Sequence, residues 1–186
     1  IGTLAIDRLF IGAKVAGKPR IGRLSGRADI HDRRALVDLV ADAEQGDHLA
    51  LRLDAAPDHD RFDMDATLNA PAKGVFGAML GTQRPVALRL AGDGSWRTWR
   101  GHLTAQIERQ PAADIALSAH SGRYALTGKI TAAHLLSGRM QRMTAPVVTL
   151  AGEGRLEKRR FDGHLSVQSA ALIAEARGLM AIRSHV

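Results

Sequence analysis

Apolar and polar residues alternate along most of this chain with a period of two. Leu49, Leu51, Leu53 and Ala55 interleave with Ala50, Arg52 and Asp54. After the run Pro57-Asp58-His59-Asp60 the pattern resumes, with Phe62, Met64, Ala66 and Leu68 set against Arg61, Asp63, Asp65, Thr67 and Asn69. Successive side chains on a strand point to opposite faces, so each run predicts a strand with one dry and one wet face. Two such runs around a turn rich in proline and aspartate predict a hairpin.

The same alternation marks Leu24, Gly26, Ala28 and Ile30, then Ala35, Val37, Leu39 and Ala41, then Val86, Leu88, Leu90 and Gly92. It recurs at Trp99, Gly101, Leu103, Ala105 and Ile107, at Ala113, Ile115, Leu117 and Ala119, at Tyr124, Leu126, Gly128 and Ile130, and at Phe161, Gly163, Leu165 and Val167. About 12 strands joined mostly by short turns predict an antiparallel meander. The rhythm breaks twice. Residues 71–83 carry Val75, Phe76, Met79 and Leu80 at helical spacing, and residues 131–141 carry Ala132, Ala133, Leu135 and Leu136. Short helical connectors are expected at 75–80 and 132–136.

The chain also repeats itself. Arg84-Pro85-Val86-Ala87-Leu88-Arg89-Leu90-Ala91-Gly92-Asp93-Gly94 is echoed by Ala145-Pro146-Val147-Val148-Thr149-Leu150-Ala151-Gly152-Glu153-Gly154, and Trp99-Arg100-Gly101-His102-Leu103 by Phe161-Asp162-Gly163-His164-Leu165. A fainter copy starts at Pro19. The prolines recur after about 66 and then about 61 residues, which predicts units at 19–83, 84–144 and, in part, 145–186 within one repetitive segment, 1–186. Amphipathic strands of this kind can close into a barrel, stack as a sandwich or stay an open, curved sheet. A closed interior needs bulky filling, yet the inward positions include Gly26, Ala28, Ala66, Gly101, Ala105, Gly128, Gly152 and Gly163. The expectation is mainly β: an extended, curved antiparallel sheet forming an open groove, built from repeats of about 60 residues with short helical connectors.

Composition sharpens this picture. Apolar residues make up 45% of the chain but aromatics only 4%, so Ala, Leu, Ile and Val would give a thin, smooth apolar surface. With no cysteine there is neither a disulfide framework nor a thiolate metal site. The first residue is Ile1, and the chain reads as a piece cut from a longer protein. No apolar run approaches the roughly 20 residues that span a bilayer, so any anchor or export signal is expected outside it. The net charge of +7 permits an anionic partner, but the basic residues are scattered apart from Lys158-Arg159-Arg160, which reads as a solvated face. Nucleic acid is not an expected partner.

Candidate chemistry is sparse. The eight histidines lie at 31, 48, 59, 102, 120, 134, 164 and 185 without metal-ligand spacing, and Asp58-His59-Asp60 reads as turn chemistry. Asp63 and Asp65 resemble an acid/base pair, but their alternation sends them toward water. Gly92-Asp93-Gly94-Ser95 lacks the spacing and the long following helix of a phosphate loop; Gly92, Gly94, Gly152 and Gly154 read instead as bulges or strand bends. Trp96 and Trp99 have odd spacing, which predicts opposite faces and a packing role. No GxSxG elbow is present. The expectation is a protein that is not an enzyme and needs no metal or cofactor.

Those repeated units, the opening Ile6-Asp7-Arg8-Leu9-Phe10-Ile11-Gly12, and Asp60-Arg61-Phe62-Asp63-Met64-Asp65-Ala66 running into Gly74-Val75-Phe76-Gly77-Ala78-Met79-Leu80-Gly81 resemble the middle part of the TamB family, with AsmA-like proteins sharing the style. The resemblance covers nearly the whole chain. It implies a taco-shaped sheet in the periplasm, part of an inner-membrane-anchored protein that works with the outer-membrane barrel protein TamA. It also implies phospholipid transport between membranes and a link to outer-membrane protein assembly. The expected groove lining is Leu51, Leu53, Phe62, Met64, Leu68, Leu88, Leu90, Leu103, Ile107, Leu117, Leu126, Ile130, Leu150 and Leu165, the apolar set of successive strands. The competing reading is a structural or adhesive β-solenoid or stalk with a self-filled core. A third, an enzyme on a β-helix, would need carboxylates gathered on one face, and here they are dispersed.

Overall fold

The computed structural model describes residues 2–12, 19–79, 82–95, 97–131, 147–157 and 160–181. Within them the alternating runs form strands β1 (Gly2–Ile11), β2 (Arg20–His31), β3 (Arg34–Ala43), β4 (Asp47–Ala56), β5 (Arg61–Ala70), β6 (Val86–Gly94), β7 (Thr98–Ile107), β8 (Gln110–His120), β9 (Arg123–Ile130), β10 (Val148–Glu157), β11 (Arg160–Gln168) and β12 (Ile173–Ala181). One short helix, α1 (Val75–Met79), lies between β5 and β6. All twelve strands form a single antiparallel sheet in sequence order, open, with β1 and β12 at its edges.

Two-residue turns make this order possible. Asp32 and Arg33 (φ 43° and 55°), Glu108 and Arg109 (φ 53° and 65°), and Ser121 and Gly122 (φ 48° and 80°) link β2–β3, β7–β8 and β8–β9. Positive φ at both central residues matches the turn twist to the right-handed twist of the strands. Five of those six residues are not glycine, so hairpin geometry overrides local preference. The β4–β5 hairpin turns through a 3-10 segment at Pro57–His59 that ends on Asp60 in the left-handed region, where the sequence predicted a turn.

The helix expected at 75–80 is present as α1; the one expected at 132–136 lies outside the described residues. A helix of five residues has no intrinsic stability, and this one is held at its start. Asp47, fully buried at the head of β4, accepts hydrogen bonds from the backbone N–H groups of Val75 (2.8 Å) and Phe76 (3.1 Å). Gly74 is required beside it, because a methyl group there would overlap the Asp47 carboxylate. Buried Arg20 donates to the carbonyl of Lys73 at 3.1 Å, so both β2 and β4 grip the connector. Ala70, Val86, Ile107 and Ala112 form the buried cluster, with Phe76, Leu88 and Ala105 packed on it. These residues sit where β5, β6, β7 and β8 share one end, and α1 covers it.

Glycines were expected to mark bulges or strand bends at 92–94 and 152–154, and no bulge occurs there. The β6–β7, β9–β10 and β10–β11 pairings instead run in unbroken register through them. Register shifts occur between Ile6 and Leu9 and between Ala105 and Gln106, the second beside Pro111, which has no N–H to give the ladder.

Candidate functional site

Residues directly opposite across an antiparallel pair share a face, so the register determines what each face contains. One row crosses all twelve strands: Leu4, Gly26, Leu39, Leu51, Ala66, Leu90, Leu103, Ile115, Gly128, Leu150, Val167 and Ala174. Every member is apolar or glycine. The neighbouring row toward α1 takes in Leu24, Leu49, Leu68, Leu88, Ile130 and Val148. The row on the other side takes in Val37, Leu53, Met64, Leu117, Leu126 and Leu165. With Phe62 opposite Ala55 and Ile107 opposite Val86, all fourteen residues named from the sequence fall on this one face.

Among the described residues, little covers that face. Leu68 and Ile107 are buried, Leu165 is 37% exposed, and the other eleven named side chains are half-buried. Leu4 at 51% and Ile30 at 71%, on the same face of β1 and β2, lie barer still. At the end away from α1 the face opens into a cavity of about 820 Å3, bordered by Phe62, Trp99, Leu117, Tyr124, Leu126 and Leu165. Such a volume suits a small-molecule or single-chain ligand. Trp99 lies flat across Gly101 on its own strand and Gly92 on β6; a side chain on either glycine would occupy the space of the ring. Its edge meets Phe62, with centroids 6.3 Å apart and planes at 70°, a favoured aromatic geometry. Trp96 lies outside the described residues, so the expected opposition of the two tryptophans has no counterpart here.

The sequence named Trp99 but missed its seat. A tryptophan with glycine two residues on and another glycine on the preceding strand was the available signal, since aromatics shield cross-strand glycines. Asp47 and Gly74 were also missed: a carboxylate that begins a strand gives no local sign that it will hold a helix 28 residues later.

The opposite face carries most of the charged residues, alongside Phe10, Leu36, Val40 and Ile173. Asp63 pairs with Arg61 at 2.6 Å and Asp65 with Arg89 at 3.0 Å, so the two candidate acid/base carboxylates are tied up in ion pairs. Histidines occupy the same face or its turns: His48 bonds Asp42 and His102 bonds Asp114, each at 2.8 Å, and His31 bonds Asp29 at 3.1 Å. His134 and His185 lie outside the described residues. Among the described residues no His, Asp or Glu cluster is gathered to hold a metal ion, and no helix is long and apolar enough to cross a membrane. Asp54 is, after Asp47, the carboxylate most withdrawn from water among the described residues. Arg34 donates two bonds to it, 2.9 and 2.7 Å, and Arg61 stands at 3.4 Å. The hydrogen bonds from Arg34 hold its carboxyl below the usual range against the opposing effect of burial, and they raise the Arg34 guanidinium in return.

No family model, curated protein or solved structure matches this chain. The reading of the apolar face therefore stands on its geometry and on the motifs quoted above.

Proposed function

We propose that this chain is a stretch of lipid conduit: a curved sheet whose apolar face shelters phospholipid acyl chains between two membranes while headgroups stay in water. The observation that carries the reading is the apolar row crossing all twelve strands without a polar interruption, on a face that the described part of the chain leaves largely uncovered. Curvature is supported by the cavity, which touches Phe62 on β5 and Ala176 on β12. These strands are seven steps apart in the sheet, roughly 34 Å if it were flat, and a flat face offers no such enclosure. The repeat is supported by the strand pattern. Four strands, β2 to β5, follow Pro19 and end in α1; four more, β6 to β9, follow Pro85.

Hydration supplies the mechanism. Each methylene exposed to water costs roughly 0.8 kcal/mol, so sheltering a chain of about 16 carbons lowers a barrier on the order of 10 kcal/mol. No bond is broken, and no cofactor enters. On this reading the chain is part of a periplasmic, inner-membrane-anchored protein of TamB type, with phospholipid as cargo, TamA as a partner met elsewhere in the protein, and a link to outer-membrane protein assembly. The alternative stalk needs its own side chains to fill a core, and a single layer of sequentially paired strands disfavours it.

A photo-crosslinking scan with lipid identification tests the proposal. Probes at Leu88, Leu117, Leu126 and Leu150 should capture phospholipid in cells, whereas probes at Thr127 and Thr149, which alternate onto the polar face, should not. Equal capture on both faces, or none at the apolar positions, would overturn it.

A further inference from the structure

Charges on the polar face are arranged to neutralise one another across strands. Arg27, Asp38, Arg52 and Asp65 follow in register over β2 to β5 with alternating sign, and Asp93 faces Arg100 and Asp114 faces Lys129. Where Asp54 and Asp63 face each other, Arg61 touches both, at 3.4 and 2.6 Å. The exception lies on β8 to β10. There His120 faces Arg123 and Arg123 faces Arg155. Directly opposed like charges destabilise a sheet. Arg155 has Glu157 on its own strand and faces Asp162 on β11, but among the described residues no carboxylate pairs with Arg123, nor with Arg177 on β12.

These side chains border a second cavity, about 740 Å3, on the polar side of the same strands, together with His120 and His164. We propose that this cavity is an anion site for a single phosphoryl group, bound by the guanidiniums of Arg123, Arg155 and Arg177. Guanidinium forks match phosphate oxygens, and an occupied site removes the repulsion that the empty one retains. Glu153 and Asp162 border the same cavity. With Glu157 on Arg155 they balance the three guanidiniums in number, so the attraction rests on Arg123 and Arg177, which no carboxylate of the described residues touches, and this suits one localised anion and disfavours a polyanion. Register places these arginines on the sheet face opposite the apolar rows, although the two cavities share Glu153, His164 and Arg177 at their borders; the assignment does not depend on the conduit.

Inorganic phosphate and a lipid headgroup share this chemistry, and two titrations separate them. The chain is titrated with inorganic phosphate, followed by backbone amide shifts, and with phosphatidylcholine vesicles with and without phosphatidylglycerol, followed by sedimentation. Saturable phosphate shifts on β9 to β11 identify a free anion, whereas binding that requires phosphatidylglycerol identifies a headgroup. In either case Arg123→Gln and Arg177→Gln should each weaken binding about tenfold, while Arg27→Gln, on the charge-alternating part of the same face, leaves it within about twofold. Circular dichroism confirms that each variant is folded. Absence of both kinds of binding, an equal loss in Arg27→Gln, or vesicle binding indifferent to phosphatidylglycerol would each overturn the assignment.

Discussion

Asp54 is far more withdrawn from water than its neighbours: its side chain is 12% exposed, against 31% for Asp63 and 45% for Asp65. Its carboxyl is held low chiefly by the bonds from Arg34. A carboxyl that titrates lower when folded than when unfolded stabilises the fold fully above its unfolded value, about 4, and loses that contribution as pH falls through the lower folded value. Asp54→Asn should therefore cost roughly 1–2 kcal/mol at neutral pH, and the gap from the parent should close in acid. Urea melts at neutral pH and near pH 3 measure both; a gap that persists in acid would assign the loss to packing. Trp99 presents the opposite constraint, one of space. Gly92→Ala puts a methyl where the indole lies, and overpacking of this kind costs about 1–3 kcal/mol. Adding Trp99→Leu should recover the part of that loss that comes from the ring, because the two changes are coupled through that contact, while the methyl's approach to the Arg100 carbonyl remains. A double-mutant cycle in denaturant decides it, and strictly additive losses would show that the ring does not occupy that seat.

Among the elements, α1 depends most on the rest of the chain. Asp47→Ala leaves the N–H groups of Val75 and Phe76 without their acceptor and should cost about 1–2 kcal/mol. Amide exchange should speed at those two positions and stay slow at the centre of β7. Exchange unchanged at both would mean that the helix is held by its apolar contacts alone. Element type was legible from the sequence wherever the period was clean, as in β4, β5, β7, β8 and β9, because a one-residue slip would turn a whole apolar set to water. Legibility failed where the inward side chains shrink or a bulge shifts phase. β12 presents Ala174, Ala176 and Gly178 on the apolar face, too small to stand out, and in β1 the shift between Ile6 and Leu9 breaks the alternation. The glycines misled for a related reason. They serve close approach, under Trp99 and between Leu126 and Leu165, and sequence alone does not distinguish that need from a bulge. The direct opposition of Arg123 and Arg155 was invisible, since it exists only once register is known.

At the scale of the whole molecule, the described residues bury little of the sheet's apolar face, and the proposed conduit along it would be only as good as its driest cross-section. Leu126 stands between Leu117 and Gly152, and Leu88 between Leu68 and Ala105. Leu126→Glu or Leu88→Arg would put a charge in the path of the acyl chain. Burying an unpaired charge among lipid tails costs several kcal/mol, comparable to what the face gains by sheltering the chain, so passage should be blocked even though a half-buried site tolerates the charge in the folded protein. Thr127→Glu alternates onto the polar face, next to Ala116 and Ala151, and should leave transport within about twofold of the parent, as surface substitutions generally do. The measurement is complementation in cells that depend on this protein, with protein level and circular dichroism recorded for each variant. Loss of growth with folded Leu126→Glu and Leu88→Arg, and growth with Thr127→Glu, is the expected pattern. Full complementation by the two folded inner-face variants would mean that no lipid tail travels along the twelve-strand row, and the apolar face would then need another occupant.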